Sequence, residues 1–141
     1  STGLALGIAR GGGGATKVTA VHVSDAASRD DARRVARTIA NSPLVKTAVH
    51  GADPNWGRIV AAAGRAGVEF DMGRATVRVG GVLLFDHGLP HDEAAPLAEE
   101  HMKGTDVRID VSLGTGGRHS ATIWTCDLSA EYVRINGAYR T

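Results

Sequence analysis

Thr16-Lys17-Val18-Thr19-Ala20-Val21-His22-Val23-Ser24, followed by Ser28 to Ala40 (SRDDARRVARTIA), sets the two regular periods side by side. In the first stretch Thr19, Val21 and Val23 share one face and Val18, Ala20 and His22 the other. That pattern predicts a strand buried on both sides. In the second stretch Ser28 with Asp31 imitates a capping box, Asp replacing the usual Glu. Ala32, Val35, Ala36, Ile39 and Ala40 then form one helical stripe, with Arg33, Arg34 and Arg37 opposite. A strand leading into an amphipathic helix points to an α/β or α+β fold with layered helices and sheet.

Downstream the alternation continues. Pro43 stops the helix, Leu44 to His50 reads as a second strand, and Asp53 with Pro54 reads as the cap and first turn of a second helix. That helix turns Trp56, Ile59, Val60 and Ala63 inward. Val77 and Val79, then Gly80-Gly81, then Val82 to Phe85 predict a hairpin, because consecutive glycines accept the positive φ of a two-residue turn. Asp92 is expected to cap a third helix ending near Gly104. From Asp106 the residues Val107, Ile109, Val111 and Leu113 alternate with Arg108, Asp110 and Ser112, a strand with one wet face. The loop Gly114 to Gly117 leads to a strand over Ser120 to Cys126, expected to pair antiparallel with it. Upstream, Gly3 to Arg10 carries Leu4 and Ile8 at helical spacing before the run Gly11 to Gly14. The tail from Ser129 to Thr141 reads as a helical turn and an extended end.

Composition narrows the function. A chain of 141 residues with 43% hydrophobic and 22% charged residues fits one globular domain, residues 1–141. Sixteen Lys and Arg against fifteen Asp and Glu give a net charge of +1, and only 4% of residues are aromatic, so nucleic acid is a poor partner. No apolar run approaches the length of a membrane span, and a single cysteine, Cys126, cannot form an internal disulfide, so the cytoplasm is the expected compartment. The chain begins with Ser1, not Met, which reads as a processed start or a cut from something longer.

Few motifs carry chemistry on their own. In Gly11 to Lys17 (GGGGATK), Ala15 and Thr16 separate the last glycine from the lysine, and the order is helix then strand. A phosphate loop puts Lys directly after the last glycine and runs from strand to helix, so a plain connector is the better reading. His87 and His91 bracket Gly88, Leu89 and Pro90, a loop that cannot hold a zinc pair on one helix face. Cys126, beside Trp124 in a strand, reads as packing. Ser1 as a nucleophile using its own amine competes with a plain cleavage scar. Asp53-Pro54-Asn55-Trp56-Gly57-Arg58 is unusually dense: a glycine in a first helical turn costs about 1 kcal/mol against alanine, which suggests something packing closely over Gly57. A helix start pressed against another chain and a functional site are both open there.

Several stretches taken together resemble one family. Gly14-Ala15-Thr16-Lys17, Ala36 to Ala48 (ARTIANSPLVKTA), Gly51 to Ile59 (GADPNWGRI), Cys126-Asp127-Leu128, Tyr132-Val133 and Asn136 to Thr141 occur in consistent order almost end to end. They resemble the C-terminal part of the β chain of ornithine acetyltransferases, the bifunctional glutamate N-acetyltransferases of arginine biosynthesis. The pair SPLVKTA and DPNWGRI is the most specific element.

The resemblance implies a layered helix–sheet fold of the N-terminal-nucleophile-like type, and a precursor that cuts itself into α and β chains arranged as α2β2. It implies acetyl transfer from N-acetylornithine to glutamate through an acyl-threonine, with no metal or organic cofactor. The nucleophilic Thr and the oxyanion donors are expected upstream of the matched segment, so no catalytic residue is assigned here and this chain by itself is expected to be inactive. The α chain and the remainder of β are the implied partners. By the same resemblance Asn136 and Thr141 bind the amino-acid substrate, and Gly13 stands where the family usually has a substrate-binding Glu. Its loss removes a charge-assisted bond worth about 1.5–3 kcal/mol. Lys17, Lys46, Asn55 and Arg58 fall in the signature stretches, with no role beyond shaping the site or a chain interface. Two rivals are a non-catalytic scaffold fragment and a related N-terminal-nucleophile peptidase.

Overall fold

A computed structural model describes residues 16–127. The elements run β1 (Lys17–Ala26), α1 (Arg29–Asn41), α2 (Pro43–His50), α3 (Trp56–Gly64), β2 (Thr76–Val79), β3 (Val82–Asp86), β4 (Leu89–Pro90), α4 (Ala95–Met102), β5 (Asp106–Ser112) and β6 (His119–Asp127). The six strands form one mixed sheet in the order β4-β3-β2-β5-β1-β6. The layered helix–sheet class read from the sequence is the observed one. None of the helices among the described residues is long and apolar enough to cross a membrane.

Local chemistry explains most elements. Ser28 caps α1 by accepting the Asp31 N–H at 3.0 Å, and Ala32, Val35, Ala36, Ile39 and Ala40 are buried as their spacing requires. The β2–β3 hairpin turns at Gly80 and Gly81, with φ of 59° and 79°. A register shift opposite Val77 and Arg78 lets the consecutive residues Leu84 and Phe85 both reach the core. Val107, Ile109, Val111 and Leu113 are buried and the alternate face of β5 is not.

Five expectations are corrected. Leu44 to His50 is helix, not strand. Ser42 accepts the Val45 N–H at 3.3 Å, Pro43 occupies the first turn, and Val45, Ala48 and Val49 go inward at helical spacing, whereas Leu44 is 53% exposed. Because Ser42 is buried, Ser42→Ala is expected to destabilise the protein by about 1 kcal/mol in urea denaturation. The cap of α3 is Asn55, not Asp53: the Arg58 N–H donates to Asn55 Oδ1 at 3.1 Å. Asp92 caps nothing with its side chain, and instead accepts the Trp56 indole N–H at 3.3 Å, while α4 starts later, at Ala95.

The fourth correction is topological. β5 and β6 do not pair with each other, because β1 lies between them, parallel to β5 and antiparallel to β6. The connection folds over the end of β1, with the Thr115 N–H and hydroxyl both donating to the Asp25 carbonyl and the Arg118 N–H donating to Asp25 Oδ1. At Gly117 a Cβ would stand 2.3 Å from the Ala26 carbonyl, so the crossing needs a residue without one. The fifth concerns β1. Thr19, Val21 and Val23 are buried under the helices, but Ala20 and His22 on the other face are only half-buried. That face carries Ala20, His22, Arg108, Asp110, Thr122 and Trp124, the last 55% exposed, and no helix among the described residues buries against it. The helix expected over Gly3 to Arg10 and the helical turn and extended end expected over Ser129 to Thr141 lie outside the described residues.

Candidate functional site

One end of the sheet brings together the start of β1 and the finish of β6. β1 begins at Lys17, directly opposite Asp127, where β6 ends. The Lys17 ammonium donates to the carbonyl of Val49 at 3.0 Å and to that of Met102, the last turns of α2 and α4 respectively. Carbonyls at a helix C-terminus lack partners within the helix and carry the negative end of its dipole, so a half-buried cation there stabilises both ends at once. Beside it Thr16 is fully buried, and its hydroxyl has no hydrogen-bond partner among the described residues.

Gly13, Asn136 and Thr141 lie outside the described residues.

The dense segment after α2 is explained by structure. Asn55 caps α3 and also donates from its amide nitrogen to Asp53 Oδ2 at 3.3 Å. The Trp56 ring stacks on Phe85 with centroids 4.8 Å apart, while its N–H holds Asp92. The Arg58 guanidinium donates to the Leu44 carbonyl at 3.1 Å, tying α3 to the start of α2. A Cβ on Gly57 would meet Asn55 Oδ1 at 3.3 Å, so what packs over Gly57 is its own helix cap.

Lys46 lines a narrow apolar pocket with Thr19, Val21, Val45, Val49 and Cys126; at about 10 Å³ it has room for one water and no substrate. His87 Nδ1 bonds the adjacent Asp86 carboxylate, and His91 Nδ1 lies 3.4 Å from Glu93 Oε1. No cluster of three or more His, Cys, Asp or Glu side chains that could hold a metal exists among the described residues. On the open face Asp110 bonds the Arg108 guanidinium at 2.9 and 3.1 Å, which raises the Arg108 pKa further through hydrogen bonding and charge.

The model of the ArgJ family matches residues 1–141. The chain belongs to this family. It is 46% identical to the arginine biosynthesis bifunctional protein ArgJ of Prochlorococcus marinus, over 98% of this chain and 35% of that protein. With the ArgJ protein of Brucella suis identity is 48% over 98% of this chain and 33% of the relative. Among solved structures, the crystal structure of ArgJ from Bacillus halodurans superposes with a TM-score of 0.81 at 40% identity, covering 96% of this chain and 64% of that one. The chain thus spans about a third of the length of the curated relatives it matches. In this chain the SPLVKTA and DPNWGRI stretches supply helix caps and a helix-to-helix tie.

Proposed function

We propose that these residues are the C-terminal portion of the β chain of an ornithine acetyltransferase, made as a self-processed precursor. The reaction moves an acetyl group from N-acetylornithine to glutamate. The nucleophile is a Thr in sequence outside these residues. Its own amine accepts the hydroxyl proton as the oxygen attacks the acetyl carbonyl; ornithine departs, and the glutamate amine then takes the acetyl group from the threonine ester. Asn136 and Thr141 hold the amino-acid substrate, with Gly13 standing in the position of the family Glu.

The end-to-end family match supports the reaction class. The observation that carries this chain's part in it is the pairing of Lys17 with Asp127. Position 13 precedes β1 in sequence and Asn136 and Thr141 follow β6, and Lys17 and Asp127 are paired across those two strands. An amide and a terminal hydroxyl suit the substrate's carboxylate and ammonium groups. The partners are the α chain and the remainder of β in an α2β2 assembly, and the open sheet face around Trp124 is the surface offered to them.

In the full-length protein Asn136→Ala, or removal of Thr141, is expected to lower kcat/KM for N-acetylornithine about 10- to 100-fold, the worth of one charge-assisted hydrogen bond, while self-cleavage proceeds. Unchanged kcat/KM in both variants would rule out the tail's role. Gly13→Glu, measured in the same assay, is expected to raise it.

A further inference from the structure

The opposite end of the sheet holds a cleft that none of the foregoing uses. It lies beyond the C-terminal ends of β1 and β5, the parallel pair of the sheet. Its volume is about 560 Å³, and its lining includes Asp25, Arg74, Thr76, His87, Ser112 and Thr115. That size suits a small metabolite.

Four elements are drawn together to build it. The Leu113 N–H donates to the Ser24 carbonyl at 3.0 Å and the Thr115 N–H to the Asp25 carbonyl at 3.1 Å, so the β5 loop is fastened to the end of β1. At Gly114 the chain passes so close to the start of β2 that a Cβ would stand 2.4 Å from the Arg74 carbonyl. Asp25 and His87, neither of them glycine, hold left-handed φ values of 50° and 48° on this rim. The Asp86 carboxylate takes one ring nitrogen of His87.

What distinguishes the cleft is an acid and a base that do not meet. Arg74 and Asp25 line the same space, yet no ion pair within 4.0 Å joins them, and the Arg74 guanidinium has no hydrogen-bond partner among the described residues. The Thr76 and Ser112 hydroxyls are likewise unbonded there. Asp25 commits only Oδ1, to the Arg118 N–H at 3.2 Å, and keeps Oδ2 open. A ligand that satisfies both walls carries a carboxylate and an ammonium group together. We propose that this cleft binds a free α-amino acid, its carboxylate on the Arg74 guanidinium with the Ser112 and Thr76 hydroxyls beside it, and its ammonium on Asp25. A planar guanidinium grips a carboxylate through two parallel bonds, which gives the pairing its direction.

The test is a titration of the intact chain, 15N-labelled, with L-alanine, propionate and ethylamine as probes, followed by NMR at the amides of Gly114, Thr115 and Gly116. L-Alanine is expected to shift these amides saturably, and propionate and ethylamine to bind at least about tenfold more weakly, since each leaves one charged wall unpaired. Arg74→Gln is expected to abolish the shifts. Arg74 is exposed, so the change leaves the fold intact. Asp25→Asn keeps an acceptor for Arg118 and tolerates the left-handed backbone, and should make L-alanine no better than propionate. Shifts absent with all three probes, equal binding of L-alanine and propionate to the unaltered chain, or an unaffected Arg74→Gln would each overturn the proposal.

Discussion

Lys17→Met should cost the protein roughly 2–4 kcal/mol, read as the change in unfolding free energy from urea titration. Methionine matches the length of the lysine stem and keeps its packing, so the loss isolates the ammonium group. That group donates to Val49 and Met102, closing the ends of α2 and α4 against the start of β1. The two carbonyls do not suffer equally. Val49 keeps the Ala52 N–H at 3.1 Å, whereas Met102 belongs to a side chain that is 1% exposed and its carbonyl loses its charged donor. Lys17→Arg, which retains the charge but changes its shape, should recover only part of the loss. A change below about 0.5 kcal/mol for Lys17→Met would mean that water replaces the ammonium at both helix ends.

Gly114→Ala is the second large effect, expected near 3 kcal/mol and visible as a drop in Tm or in the urea midpoint. Two costs combine. Gly114 has φ of 68°, where a Cβ costs about 1–2 kcal/mol, and that Cβ would lie 2.4 Å from the Arg74 carbonyl, a backbone atom that cannot swing aside. Relief requires separating β5 from the start of β2, which are paired through Thr76 and Ser112. Gly116 is the internal control, because its φ of 82° is also left-handed but its Cβ would meet nothing within 4 Å. Gly116→Ala should therefore lose only the conformational part. Equal losses at the two positions would show that crowding at Arg74 plays no role.

Legibility in the sequence followed the range of the forces involved. The cap at Ser28, the stripe of α1, the glycine turn between β2 and β3 and the alternation along β5 all depend on neighbours within a few residues, and each is where its pattern placed it. Leu44 to His50 misled because its composition is β-branched, while the deciding interactions are a serine cap and a proline in the first turn. The pairing of β6 misled for another reason. A short loop between two strands suggests a hairpin, and only the bonds from Thr115 and Arg118 to Asp25 carry the chain over β1 instead.

The site divides in the same way. The signature stretches resemble those of one family, and the match of the family model to residues 1–141 bears that out. They did not reveal that Trp56 and Arg58 serve as stack and tether, because their partners Phe85, Asp92 and Leu44 are remote in the chain or on another helix, whereas the cap by Asn55 is local, and the sequence pattern points to Asp53 instead because Pro54 follows it. Nor could the rim cleft be read, since Asp25, Arg74, His87 and Ser112 come from four separate elements with no shared spacing.

By itself, then, the sequence determined the helix–sheet class and most element positions, because propensity, capping and side-chain period act locally, and it carried the motif stretches that resemble the family. The tertiary structure alone decided that β1 sits between β5 and β6, that Lys17 joins two helix ends, and that Arg74 and Asp25 share a cleft. Those arrangements come from contacts between residues tens of positions apart, selected by burial and by the need to satisfy every backbone group, and no local pattern encodes them.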